Sequence, residues 1–260
     1  MLLVHGYGNE AHIWDDFAHA VTSHYAVAAL DLRGHGDSDW DPESRYAYEN
    51  HVADLESVVD HLGYERFVLV AHSLGGRVGT LYGGRHPEKL AGFVIVDSAP
   101  EIEKRGALRI QLDVQENRDP SFERVSEYES YLLHAYPAAK PEAIKRMAKH
   151  SLKQRDDGRW ILKMDTSFRG KGIAKLDPEQ LEKQNDRLTE EMWDALGKIP
   201  CPTLVVRGAA SDILSADVAD RMVDEVLPSG TLAIVPQAGH SVMTDNPKGF
   251  ADALCAFVLG

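Results

Sequence analysis

The segment Phe67-Val68-Leu69-Val70-Ala71-His72-Ser73-Leu74-Gly75-Gly76 constrains this chain more than any other. An apolar run enters a tight His-Ser-Leu-Gly-Gly corner, and Val78 to Tyr82 can continue beyond it as a helix. The expected local structure is strand, sharp turn, helix, with Ser73 at the apex. Such a corner lifts one hydroxyl to the top of a sheet. It also aims the next backbone N–H and the positive end of a helix at the same point. A serine held there is placed to attack.

The rest of the chain alternates in the same way. Leu2–Val4, Tyr25–Leu30, Phe67–Ala71, Leu90–Val96, Thr203–Arg207 and Thr231–Val235 read as short strands bounded by Gly, Pro, Asp or Arg. Their near-continuous hydrophobicity fits burial on both faces of a parallel sheet. Helical patterns lie between them: Ile13–Val21, Tyr48–Leu62, Val78–Arg85, Ala216–Val226 and Gly249–Leu259. The fold class is therefore α/β, a mostly parallel sheet with helices on both faces. From about Ser98 to Lys198 the alternation stops and no strand is evident. Charged helical stretches at Ile102–Glu116, Phe122–Tyr136, Pro141–Gln154 and Leu181–Leu196 fill this region. Leu112, Tyr128, Tyr131, Leu132, Met147 and Trp160 would supply an apolar underside. The region is too long for one crossover, which predicts a helical cap over 99–198 on a core formed by 1–98 and 199–260.

Composition excludes several classes. With 43% apolar residues in 260 the chain can bury a core, and its formal net charge is −13. Phosphate contacts need clustered Lys and Arg, so neither nucleic acid nor an anionic membrane surface is an expected partner. No run approaches the ~18 apolar residues of a membrane span. Met1-Leu2-Leu3-Val4 stops at His5-Gly6 with no basic flank, so no signal peptide is expected and the default location is cytoplasmic. Cys201 and Cys255 are far apart and outside any CxxC, and read as reduced thiols. The histidines show no HExxH or other ligand spacing, so no metal site is expected. Gly34-His35-Gly36 lacks the further glycine and the Lys-Ser/Thr pair of a phosphate cradle; Arg33 and Asp37 are expected to brace that loop.

A serine hydroxyl needs a base, and His240 in Gly239-His240-Ser241, after the last strand, is the candidate. The base needs a carboxylate to fix its tautomer. Asp212, beyond the strand Thr203–Arg207, leads because the order Ser73, Asp212, His240 follows the template for this strand–turn–helix serine. The rival is Asp97, at the end of Val94-Ile95-Val96. His5 and His72 flank tight turns and are expected to brace backbone.

In these segments the chain resembles the α/β-hydrolase fold superfamily. His5-Gly6-Tyr7-Gly8, Asp31-Leu32-Arg33-Gly34-His35-Gly36-Asp37-Ser38, the Ser73 corner, Gly208 to Asp212 and Gly239-His240 carry the resemblance across nearly the whole chain. Ala71 stands where the G-x-S-x-G pattern has its first glycine. Members usually carry one or two strands before the His-Gly segment; here they are absent, and the exposed edge is an association risk that leaves a homodimer open. The resemblance implies an oxyanion hole made by the backbone N–H of Tyr7 and Leu74, and no cofactor. Some members place the acid at the position of Asp97. Relatives that open epoxides or remove halides use an aspartate where this chain has Ser73.

The implied activity is a serine hydrolase cleaving a small carboxylic ester or lactone. Trp14, Tyr131, Trp160 and Met243 are candidates to line its pocket, each with ordinary core packing as the plainer reading. Carbon–carbon or amide cleavage by the same triad is the alternative, since fold does not fix the bond. A ligand receptor with slow turnover is the second class to separate.

Overall fold

The computed structural model describes residues 1–116, 120–169 and 177–260. In chain order the elements are β1 (Leu2–Val4), α1 (Asp15–Val21), β2 (Ala28–Leu30), α2 (Tyr48–Leu62), β3 (Phe67–His72), α3 (Leu74–Arg85) and β4 (Leu90–Val96). An insertion follows: α4 (Lys104–Glu116), β5 (Ser121–Phe122), α5 (Val125–Ala135), α6 (Pro141–Ser151), β6 (Leu152–Gln154), β7 (Trp160–Leu162) and α7 (Pro178–Gly197). The chain then completes β8 (Thr203–Gly208), α8 (Ala216–Arg221), β9 (Gly230–Val235), α9 (Val242–Asp245) and α10 (Pro247–Val258).

Six strands form one parallel sheet in the order β2-β1-β3-β4-β8-β9, as the alternating pattern implies. Side chains alternate across it. Leu2, Val4, Leu69, Ala71, Phe93 and Ile95 enter one buried cluster with α2, α3 and α8. Leu3, Val70, Val94 and Val96 enter the other with α1 and α10. Trp14 belongs to this second cluster, fully buried beside Phe250. Helix ends follow local chemistry. Gly63 closes α2 at φ 67°, and the Asn246 side chain caps α10 by accepting from Gly249 N–H ahead of Pro247.

Register matters most at the C-terminal end of the sheet. His72 pairs with Val96, and Ser73 N–H continues the ladder to the Val96 carbonyl at 3.1 Å. Asp97 N–H in turn reaches the Val206 carbonyl of β8 at 2.7 Å. Ser73 and Asp97 therefore emerge side by side from neighbouring strands.

The insertion departs from expectation in one respect: it contains strand. β5, β7 and β6 make a small antiparallel sheet, pairing Leu152–Gln154 and Ser121–Phe122 with Trp160–Leu162. Pieces this short carry too little alternation to be read from sequence. Tyr128, Leu132, Ile144, Met147 and Leu162 form its own buried cluster, against which Tyr7 of the sheet domain also packs. Leu112, expected on the underside, is instead 46% exposed. The last turns of α7 leave the insertion and join the main core through Met192, Ala195 and Leu196.

Candidate active site

Ser73 adopts φ 51°, ψ −116°, a left-handed backbone that non-glycine residues rarely take. The turn is held from both sides. The Ser98 hydroxyl donates to the Ser73 carbonyl at 2.8 Å, and α3 starts at Leu74 with Arg77 N–H closing on the same carbonyl at 3.0 Å. Strain kept at one residue by surrounding bonds is typical of a site that must present a side chain.

The Ser73 hydroxyl lies 3.0 Å from Nε2 of His240, in range to donate to it. The other ring nitrogen, Nδ1, lies 3.3 Å from Oδ1 of Asp97. Asp97 is fully buried at φ 42° and receives two further donors: Gly208 N–H at 2.9 Å and the Ser211 hydroxyl at 2.5 Å. Serine, imidazole and carboxylate thus form one line, with the histidine loop reaching over two adjacent strand ends. Asp212 is not part of that line. Its carboxylate is gripped by the Arg109 guanidinium of α4, Nε at 2.7 Å and Nη2 at 3.0 Å. Of the two aspartates that the sequence offers for this position, the geometry sets Asp97, and not Asp212, within reach of Nδ1. The β3–β4 register delivers Asp97 directly next to Ser73, whereas Asp212 lies past the turn after β8 and faces the insertion. The Arg109 hydrogen bond holds the Asp212 carboxyl below the usual carboxylate range.

Two other histidines set backbone. His72 Nε2 donates to the His240 carbonyl at 3.0 Å, and its ring lies 4.7 Å from that of His240. Burial, then the neighbouring His240, push its basicity well down, so it stays neutral. His5 Nδ1 donates to the Gly6 carbonyl at 2.7 Å while Nε2 accepts Leu32 N–H at 3.0 Å. That arrangement ties the loop after β1 to the loop after β2. Gly6 itself packs against the corner: a Cβ there would stand 2.7 Å from His72 Nδ1 and 2.9 Å from Ser73 Cβ. Neither Tyr7 N–H nor Leu74 N–H donates to any of the described residues. The Tyr7 ring packs edge-on against His35 and Phe168, and burial pushes its hydroxyl up to about 12.

Of the pocket candidates, Trp14 and Met243 are buried in the sheet's second hydrophobic cluster. Tyr131 donates to Asp113 at 2.6 Å inside the insertion, and Trp160 packs in the insertion's cluster. Arg33 and Asp37 brace their loop through Asp54 and Lys163. Ser98, Ser211 and Arg109 escaped the sequence reading; a serine or arginine in a loop carries no periodic signal. No group of three metal-ligating side chains occurs among the described residues, and no helix there is long and apolar enough to cross a membrane.

The sequence pattern of the Alpha/beta hydrolase family matches residues 1–253. The chain belongs to this family. As an α/β hydrolase it is 27% identical to 2-(acetamidomethylene)succinate hydrolase of Mesorhizobium japonicum, over 99% of this chain and 87% of that protein. It is 26% identical to the pimeloyl-[acyl-carrier protein] methyl ester esterase of Vibrio cholerae, over 99% of this chain and 93% of that protein. A crystal structure of E-2-(acetamidomethylene)succinate hydrolase superposes with a TM-score of 0.86 at 24% identity, covering 100% of this chain and 91% of that one. This α/β hydrolase is an enzyme, and its relatives include esterases and hydrolases of other bonds.

Proposed function

We propose that the protein is a serine hydrolase that cleaves a small carboxylic ester or lactone through an acyl-enzyme, with Ser73 as nucleophile, His240 as base and Asp97 as the orienting acid. The observation that carries this is the continuous contact from Ser73 Oγ to His240 Nε2 and from His240 Nδ1 to Asp97. His240 takes the Ser73 proton as Oγ attacks the substrate carbonyl. The negative oxygen that develops is received by the Tyr7 and Leu74 amides, reinforced by the positive end of α3. Collapse of this intermediate expels the alcohol, which takes its proton from His240. Water, deprotonated by His240, then attacks the acyl carbon, and Ser73 leaves with the proton returned.

The buried Asp97 carboxylate holds the tautomer with Nδ1 protonated and Nε2 free, and it offsets the imidazolium charge in the transition state. Residues 99–198 act as a cap over this centre, and the chemistry draws on no cofactor. A second reading, amide cleavage by the same groups, is favoured by the likeness to a hydrolase named for an acetamido-bearing succinate. The test is turnover of p-nitrophenyl acetate and butyrate by the wild type and Ser73→Ala, with fluorophosphonate labelling read by mass spectrometry. Multiple turnovers lost in the variant, with label on Ser73, support the ester reading. Labelling without ester turnover moves the assignment to amides or to a slow receptor. A folded protein with neither result overturns the nucleophile.

A further inference from the structure

The loop at 208–214 has two clients. On one side it holds Asp97. Gly208 N–H and the Ser211 hydroxyl donate to the two carboxylate oxygens, and the Ser211 oxygen accepts Ile213 N–H at 3.2 Å and Leu214 N–H at 3.1 Å. Those two amides turn the hydroxyl so that its proton faces Asp97. On the other side the same loop seats the first turns of α4. Arg109 grips Asp212 with two hydrogen bonds, one to each carboxylate oxygen, and Glu103 N–H donates to the Ile213 carbonyl at 3.0 Å. Gly106 brings the helix backbone so close that a Cβ there would stand 2.3 Å from the Asp212 carbonyl oxygen. Residues 212 and 213 are thus clamped by the insertion, while their neighbour Ser211 clamps the acid.

We propose that Arg109 and Asp212 are positioning residues for the Ser73 chemistry: their ion pair seats α4 on the 208–214 loop and so keeps Ser211 and Asp97 aligned on His240. This rests on the serine hydrolase reading. The pair is partly exposed, so its worth lies in two-point geometry more than in strength. Small displacements at a base–acid contact are costly in turnover. The position that the chain-order template assigns to the acid serves here to couple the insertion to an acid supplied by the neighbouring strand.

The experiment measures kcat and KM for a p-nitrophenyl ester between pH 5 and 9. It compares wild type, Arg109→Ala, Ser211→Ala and the charge-reversed double variant Arg109→Asp/Asp212→Arg, with the rate of fluorophosphonate labelling of Ser73 as a second readout. Arg109→Ala is expected to lower kcat about tenfold while KM stays within about twofold. The acid limb of its profile should move to lower pH, because a loosened Asp97 supports the imidazolium less. Ser211→Ala, which keeps the Arg109–Asp212 pair, should move the limb the same way, and the reversed pair should recover most of the lost kcat. Simple charge removal predicts the opposite for Arg109→Ala, since stripping the cation from Asp212 leaves more negative charge near His240. An acid limb that moves up, an unchanged kcat in Arg109→Ala, or a Ser211→Ala profile like wild type overturns the proposal. Absence of both turnover and labelling in the wild type overturns the hydrolase reading and this inference with it.

Discussion

Asp97 reaches Nδ1 of His240 at 3.3 Å from the end of β4, while Asp212, past the end of β8, spends both carboxylate oxygens on Arg109. The two aspartates are therefore separable by substitution. Asp97→Asn should lower kcat about 10³- to 10⁴-fold by removing the carboxylate proposed to fix the His240 tautomer. Asp212→Asn should cost about tenfold, through geometry alone. Steady-state kinetics on one ester ranks them, and the reverse order would return the acid to Asp212.

Gly6→Ala places a methyl against His72 Nδ1 and Ser73 Cβ, both within 3 Å. Neither neighbour is free to retreat, because His72 is bonded to the His240 carbonyl and Ser73 is locked in its turn. The loop carrying Tyr7 must shift instead. A loss of about 1–3 kcal/mol in stability is expected from overpacking. kcat should fall by more than the unfolded fraction explains. Denaturant titration and kinetics on the same samples read both.

Tyr7→Phe separates the phenol from the backbone. The hydroxyl is buried without a hydrogen-bond partner among the described residues. Its removal should change stability by no more than about 1 kcal/mol and leave kcat near wild type. Tyr7→Pro removes the amide proposed to receive the oxyanion and should cost on the order of 10²–10³ in kcat. A large loss in the phenylalanine variant would mean the phenol acts on substrate directly.

Glu10 is 3% exposed, and burial lifts its carboxyl from 4.5 to about 7, opposed most by the hydrogen bond from His12 N–H. Below pH 4.5 folded and unfolded chains both hold this proton. Between 4.5 and about 7 the unfolded chain releases it and the folded chain keeps it, so stability falls as pH rises. Above 7 the penalty is constant. Glu10→Gln should therefore match wild type near pH 4.5 and exceed it at pH 8 by on the order of 3 kcal/mol. Urea melts at the two pH values measure the difference, and equal gaps at both would exclude Glu10 as the source.

The parallel sheet was legible because its inner strands β1, β3, β4 and β8 are largely buried on both faces and read as unbroken apolar runs. Ser73 and His240 were legible because a corner between strand and helix, and a Gly-His loop after the last strand, are local patterns. Asp97 against Asp212 was not, because both follow a strand and the choice turns on register between β3, β4 and β8. Nothing in a linear string states that Val96 stands opposite His72. Trp14 shows the same limit from another side: a tryptophan in an amphipathic segment reads alike whether it faces a pocket or, as here, Phe250 in the core.

The pairing of His72 with Val96 also bears on how the molecule comes into being. Ser73 and Asp97 sit at the ends of adjoining strands connected through α3, so the loop that brings them together is small and its closure entropy modest. His240 follows β9 in chain order, and its contact with Ser73 depends on the strand that completes this edge of the sheet. A partly folded chain in which β9 is not yet docked thus holds Ser73 and Asp97 together without His240, and the proposed base joins them only as the sheet closes.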